Sequence, residues 1–123
     1  MPPITSYLAL GQYINGILSA NGDSPVGGPH KQFWDVLTYS QFINGNVPGV
    51  VDPVTKLPLK ILVIGNSKAS NLILALQGAK GTLFDPDPSV GAFGPMPNGG
   101  TLFTPNQIAP IADWIDQKCP NPP

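Results

Sequence analysis

The sequence contains neither glutamate nor arginine, because its seven acidic residues are all Asp and its six basic residues are all Lys. Charged residues make up 11% of the chain, roughly half of their usual share in globular proteins. Without arginine, no planar guanidinium group can hold a phosphate through two hydrogen bonds or stack on a base. The net charge is −1 and the lysines occur singly. We therefore expect no binding to nucleic acids or to anionic membranes.

Cysteine and long apolar runs are also scarce. Cys119 is the only cysteine, which excludes an intramolecular disulfide and any zinc or redox site built on paired cysteines. No run approaches the roughly 18 apolar residues of a membrane-spanning helix. The first residues lack the basic region, apolar run and small-residue cleavage site of a signal peptide. A cytoplasmic location is the expectation, and a signal peptide already removed would leave no trace here.

Sequence motifs of common enzymes are missing. The chain has no Gly-x-Ser-x-Gly, phosphate-binding loop, dinucleotide fingerprint or His-Glu-x-x-His, which are the patterns that place a nucleophile, a phosphate or a zinc ion. Asp85 and Asp87 are neighbours in sequence only, and Asp113 and Asp116 are expected on a solvated helix face. The sequence therefore predicts no catalytic residue, no metal site, no cofactor and no enzymatic activity.

Proline and glycine, by contrast, are abundant, with 16 and 14 residues, and they predict short helices joined by long loops. The length of 123 residues fits one domain. We expect a single all-α domain over residues 1–123 with about four helices. The first spans 6–20, with Thr5 or Ser6 as its N-cap and Asn21 with Gly22 as its stop. Its apolar face recurs at helical spacing, at Leu10, Tyr13, Ile14, Ile17 and Leu18.

Three further helices are expected. The second runs from His30 to Ile43 and is apolar on most sides, which is typical of a central helix or one that lines a pocket. The third is capped by Asn66 or Ser67 and ends at Gly78. The fourth starts with the capping box of residues 104–107, and Pro110 should kink it. Residues 47–65 and 81–100 are expected to be extended segments or loops, and residues 61–64 could form a short strand or a buried extended segment.

Several pieces of the C-terminal half occur in a familiar order. They are Gly65-Asn66-Ser67-Lys68-Ala69-Ser70-Asn71-Leu72, then Gly94-Pro95-Met96-Pro97-Asn98-Gly99-Gly100 and Leu102, then Thr104-Pro105-Asn106-Gln107-Ile108, and last Ile111-Ala112-Asp113-Trp114-Ile115. This order resembles the later part of a bacterial cytochrome c domain, which has a "G-x-x-x-x-S-x-L" helix, a loop that presents Met to the haem iron, and a last helix ending in "W-I-x-x-G". The resemblance covers residues 61–120.

The resemblance implies a cytochrome-c-like fold in which Met96 matches the axial methionine of the family. The family's haem-attachment motif, Cys-x-x-Cys-His, is absent, because the region expected to hold it, Tyr39 to Asn46, contains neither Cys nor His. Cys119 lies at the far end of the chain. The resemblance therefore implies a cytochrome-c-like scaffold without covalently attached haem.

The favoured functional hypothesis is a non-enzymatic, haem-less binding or interaction module. Its expected partner is an unknown protein or a small molecule. A second copy of the chain, in a homodimer, is one such protein partner. The contact surface is assigned to aromatic residues of the second helix and to the loop of Phe93 and Met96. The candidate residues are His30, Trp34, Tyr39, Phe42, Phe93 and Met96.

Each candidate also has a structural explanation. His30 can simply begin a helix, Met96 can fill a gap over the core, and the aromatic residues can fill the space that haem would have occupied. A second hypothesis is a protein that binds non-covalent haem or a metal through His30 and Met96. A third hypothesis is a small carbohydrate-binding protein, with which Asn-rich loops and Trp are compatible.

Overall fold

A computed structural model describes residues 3–21, 34, 37–87, 89–94, 96 and 103–122. Helix α1 spans Tyr7–Ala20, α2 Tyr39–Asn44, α3 Asn71–Gln77 and α4 Pro105–Asp116, and a 3₁₀ helix spans Ser67–Ala69. Strands β1 (Asn46–Val51) and β2 (Pro58–Lys60) pair as a two-stranded antiparallel sheet. The expectation of an all-α fold is therefore wrong, because the described residues combine helices with a β-hairpin.

The hairpin is closed by a hydrogen-bonded turn over residues 52–57. The Asp52 carboxylate accepts the N–H groups of Val54 at 2.8 Å and Thr55 at 3.2 Å, and the Asp52 N–H donates to the Leu57 carbonyl at 2.9 Å. Lys56 takes the left-handed conformation with φ 63°. In the sheet Asn46 lies opposite Lys60 and Val51 opposite Pro58, with an irregularity between them. This short hairpin was missed because proline cannot donate to a strand ladder, and the segment contains Pro48, Pro53 and Pro58.

The run of residues 61–64 is not a strand, because Ile61 lies in a bend, the next two residues have no regular structure and Ile64 lies in a turn. Ile61 and Leu62 are buried, whereas Val63 and Ile64 are exposed. The strand is therefore wrong, and of the alternative only the burial is confirmed, for Ile61 and Leu62.

The predicted second helix over 30–43 is wrong at Thr38, where α2 starts. The Thr38 side chain accepts the Gln41 N–H at 3.2 Å, and the Gln41 side chain accepts the Thr38 N–H at 3.0 Å. This reciprocal capping box fixes a helix start, and Leu37 lies in a bend before it. His30 lies outside the described residues.

The first and last helices confirm the sequence prediction. The Ser6 side chain caps α1 by accepting the Ala9 N–H at 3.1 Å, and Thr104 and Gln107 form both bonds of the capping box of α4. Pro110 lies inside α4, as expected. Helix α3 ends at Gly78, with φ 57°, but it starts only at Asn71 because Asn66 caps the 3₁₀ helix instead.

The described helices enclose one large hydrophobic cluster, here called the main core. Phe42 and Trp114 lie at its centre, with ring centroids 6.3 Å apart, and both are almost completely buried. A smaller cluster of Leu59, Ala75 and Phe84 lies between the hairpin, α3 and the loop that follows α3. Val47 of the hairpin packs against both clusters, which holds the hairpin beside the helices.

Hydrogen bonds fix the segment before α3 on the end of α4. The Ser67 N–H and hydroxyl both donate to the Asp116 carboxylate, at 2.8 and 2.9 Å, and the Gly65 N–H donates to the Ile115 carbonyl at 2.9 Å. Ser70 is completely buried, and its hydroxyl accepts the Val63 N–H at 2.9 Å and donates to the Asn66 carbonyl at 2.8 Å. Buried polar groups of this segment are thereby satisfied.

Helix α4 ends in a Schellman motif in which a lysine takes the position usually held by glycine. The Cys119 N–H donates to the Trp114 carbonyl and the Lys118 N–H to the Ile115 carbonyl, both at 2.9 Å, and Lys118 has φ 69°. A residue with a Cβ is disfavoured in that conformation.

We expect Lys118→Gly to raise the free energy of unfolding by about 0.5–1 kcal/mol, since relief of the left-handed backbone outweighs the added freedom of the unfolded chain. Urea unfolding measures this. Lys118→Ala is the matched control and should give no gain, because alanine keeps the Cβ. Equal effects of the two substitutions would contradict the explanation.

Candidate binding groove

An open groove of about 480 Å³ lies between α2 and the β-hairpin. One wall of the groove comes from α2 and the residues next to it, and the other wall comes from the hairpin strands β1 and β2. A Cβ at Gly45 would clash with the Gln41 carbonyl oxygen, so glycine allows the chain to turn from α2 directly into β1. The lining residues are Leu37, Gln41, Gly45, Asn46, Val47, Val50, Val51 and Pro58.

The described lining of the groove carries no ionisable side chain. Gln41 and Asn46 contribute amide groups, and the other lining residues are aliphatic or glycine. The Gln41 side-chain oxygen already accepts the Thr38 N–H at 3.0 Å, so its amide nitrogen is the group that can donate to a ligand. The groove is therefore an uncharged aliphatic surface with a few polar groups, which is the usual make-up of a binding site.

Exposed apolar side chains also occur in the turn that joins the two strands lining the groove. The exposed fraction is 48% for Val51, which lines the groove, and 83% and 64% for Val54 and Leu57 at the tip. The Asp52 hydrogen bonds hold these two tip residues in a fixed turn. Exposed apolar surface marks an interaction site where the residues form one patch.

The strands themselves are poorly suited to pair with a further strand. Pro48 in β1 and Pro58 in β2 have no N–H to donate, and Lys60 is exposed on β2. Proline and lysine on edge strands oppose association through backbone hydrogen bonds. Contact through side chains is therefore the remaining way for this hairpin to bind a partner.

Three aromatic candidates from the sequence pack against the main core rather than along the groove. Phe42 is completely buried. Tyr39 is half-buried, and its hydroxyl donates to the Cys119 carbonyl. Trp34 donates its indole N–H to the Asn15 side-chain oxygen at 2.7 Å. The structure thus brings these three to one cluster.

The other two described candidates belong to the smaller cluster. The Phe93 ring lies 6.0 Å from the Phe84 ring, and the Met96 N–H donates to the Ala75 carbonyl at 2.9 Å. The predicted surface of second-helix aromatics plus the Phe93 and Met96 loop is therefore divided between two clusters. His30 has no described position. The groove residues were not singled out from the sequence, although the Asp52-Pro53 pair is a turn signal that could have located the hairpin.

Burial shifts the pKa of three groups. It raises the pKa of the Cys119 thiol to about 11. Burial also raises the pKa of Tyr13, and of Tyr39, where the neighbouring Cys119 adds to the effect. Hydrogen bonds from Ser89 lower the pKa of Asp87. Within the part of the chain that is described, no three His, Cys, Asp or Glu residues come together in a way that could hold a metal ion.

No family model, curated protein or solved structure matches the chain. The resemblance to cytochrome c domains therefore stays a hypothesis drawn from the sequence. None of the described helices is both long enough and apolar enough to cross a membrane.

Proposed function

We propose that this chain is a non-enzymatic binding module that contacts its partner through the groove and the hairpin tip. The observation that carries the proposal is an uncharged aliphatic groove whose two strands lead to a hydrogen-bonded turn with exposed Val54 and Leu57. The class of function is the one expected from the sequence, but the contact surface is a different one. Its residues come from α2 and the hairpin.

The chemistry of the groove indicates an uncharged, aliphatic partner segment. Covering apolar surface contributes about 25 cal/mol for each Å² removed from water. A charged group placed against the same walls would lose its hydration without gaining an opposite charge. The amide groups of Gln41 and Asn46 can orient a bound segment by hydrogen bonds. The preferred ligand is therefore a stretch of aliphatic side chains with an uncharged polar backbone.

Selection of random peptides displayed on phage against the immobilised chain tests this proposal. We expect enriched peptides to be aliphatic and uncharged. Val51→Asp should weaken their binding by about tenfold or more, equivalent to about 1.4 kcal/mol, because it places a charge in the groove. Val90→Asp is the matched control, since Val90 is 51% exposed and does not line the groove. No enrichment, or equal losses with both variants, would count against the proposal.

The haem and carbohydrate hypotheses give different results in parallel assays. A saturable Soret band on haem addition, weakened by Met96→Ala and His30→Ala, would favour the haem protein. Retention on immobilised sugars would favour the carbohydrate-binding protein. The cytoplasmic location expected from the sequence stays a prediction.

A further inference from the structure

We propose that Asn44, at the end of α2, is a site of spontaneous deamidation whose products displace one wall of the groove. Four asparagines precede a glycine in the sequence, at positions 15, 21, 44 and 98, and the last of them lies outside the described residues. In such a pair the glycine nitrogen can attack the asparagine side chain, because glycine has no Cβ to hinder a close approach. The structure separates Asn44 from Asn15 and Asn21.

The reaction at Asn44 needs only water and base. The Gly45 backbone nitrogen gives up its proton and forms a bond to Cγ of Asn44, while the side-chain nitrogen takes up a proton and leaves as ammonia. The product is a five-membered succinimide ring. Water then opens the ring at one of its two carbonyl carbons, which gives either aspartate or isoaspartate, in which the backbone runs through the side-chain carbons.

Both reacting groups are accessible at Asn44. The Asn44 side chain is exposed. The residues that follow α1, α3 and α4 each donate their N–H back to a carbonyl of the helix, whereas the Gly45 N–H donates to no acceptor among the described residues. Gly45 is extended, with φ −99° and ψ −164°. Its nitrogen can therefore turn toward Cγ of Asn44 without losing a hydrogen bond of its own.

Asn15 and Asn21 carry the same pair in protected settings. Asn15 lies inside α1, where the helical hydrogen bonds engage the N–H of the next residue, and its side-chain oxygen accepts the Trp34 indole N–H at 2.7 Å. The side-chain nitrogen of Asn21 is buried, so it cannot readily take up the proton that it needs in order to leave. Asn44 should therefore react first of the three.

The products alter the corner that shapes the groove. Isoaspartate adds one backbone carbon before Gly45, whose tight packing on the Gln41 carbonyl allows no room even for a Cβ. Gln41, Gly45 and Asn46 line the groove, and Gln41 lies three residues before Asn44 on the same face of α2. Deamidation therefore moves this wall and adds a carboxylate beside it. The loss of partner binding that follows rests on the proposed function, in which the groove takes an uncharged segment.

Incubation of the full chain at pH 8 and pH 6, followed by peptide mapping with mass spectrometry, tests the chemistry. We expect aspartate and isoaspartate to accumulate severalfold faster at Asn44 than at Asn15 or Asn21. The rate should be higher at pH 8, because the nitrogen attacks after losing its proton. Equal rates at the three sites, or a faster reaction at Asn15 or Asn21, would overturn the inference.

Hydrogen exchange tests the structural consequence. The Ile61 N–H donates to the Gly45 carbonyl at 3.3 Å, so we expect it to exchange severalfold faster in the deamidated chain than in the fresh one. Asn44→Gln is the matched control, since it keeps the amide but would have to form a six-membered ring, which closes more slowly. Its Ile61 exchange should not change on incubation. Deamidation at Asn44 without faster exchange at Ile61 would show that the wall has not moved, against the inference.

Peptide binding separates the inference from the function on which it rests. An aliphatic peptide selected on the fresh chain should bind the deamidated chain about tenfold more weakly, equivalent to about 1.4 kcal/mol, and incubation should not weaken its binding to Asn44→Gln. Unchanged binding after deamidation would overturn the link to the groove. A chain that deamidates at Asn44 and frees Ile61 but selects no peptide overturns the proposed function and leaves the modification site standing. A chain that binds aliphatic peptides but does not react first at Asn44 overturns the inference alone.

Discussion

Replacing Trp114 with alanine is expected to lower the free energy of unfolding by about 3–5 kcal/mol, the usual cost of removing a large aromatic side chain from a core. Trp114 is 1% exposed. Its ring packs against Phe42, whose ring lies 5.0 Å from that of Tyr7, so one substitution loosens contacts among α1, α2 and α4. Domains of this kind are stable by about 5–15 kcal/mol, and the loss is a large part of that.

The indole N–H of Trp114 has a separate role. It donates to the Pro120 carbonyl at 2.9 Å, while the Tyr39 hydroxyl donates to the Cys119 carbonyl. These bonds hold the segment after α4 against the helices. Trp114→Phe keeps most of the apolar ring but removes the donor, so its cost should be clearly smaller than that of alanine.

Chemical denaturation of the wild type, Trp114→Ala and Trp114→Phe measures both effects. Val90→Ala serves as the exposed control and should change the free energy of unfolding by less than about 0.5 kcal/mol. A loss below about 1.5 kcal/mol for Trp114→Ala would mean that the ring is not at the centre of the core.

The sequence was informative where a local signal determines the structure. Helices α1 and α4 begin at the caps expected from Ser6 and Thr104, because a cap is an interaction between residues three apart. Thr38 and Gln41 carry the same signal in the sequence, which places a helix start at Thr38, whereas the apolar pattern of residues 30–43 favours one longer helix. The start of α2 is therefore predictable from its cap.

The hairpin and the groove depend on contacts between segments that are distant in sequence, and no local sequence pattern predicts such contacts. The pairing of Asn46 with Lys60 joins segments that prolines interrupt, and tertiary packing overrides the weak strand propensity of those segments. The groove then forms only when α2 lies beside that hairpin. Its aliphatic residues look like ordinary core or loop residues in the sequence.

The aromatic candidates are residues that the sequence places at a contact surface but the structure places against the core. Phe42 was assigned to a contact surface because the second helix is apolar on most sides, yet it is completely buried. Large aromatic side chains bury the most apolar area in a core, so in a chain of this size they are preferentially buried. The exposed apolar positions are left to smaller residues such as Val54 and Leu57.

Raising the pH from 9 to 11 is expected to destabilise the chain by about 2 kcal/mol through Cys119 alone. Burial raises the pKa of this thiol from 9.0 to about 11. In the unfolded chain the thiol loses its proton around pH 9, whereas in the folded chain it keeps its proton until the pH approaches about 11. The unfolded state then binds fewer protons, so the free energy of unfolding falls as the pH rises through this window.

Cys119→Ala isolates the contribution of the thiol. Urea unfolding in the presence of a reducing agent, repeated between pH 8 and pH 11, should show a steep loss for the wild type and a shallower one for Cys119→Ala. Some loss remains in the variant because burial also raises the pKa of Tyr13 and Tyr39, whose phenols resist ionisation in the folded chain. Parallel curves for the two proteins would show that the Cys119 thiol ionises equally easily in both states, which a completely buried thiol cannot do.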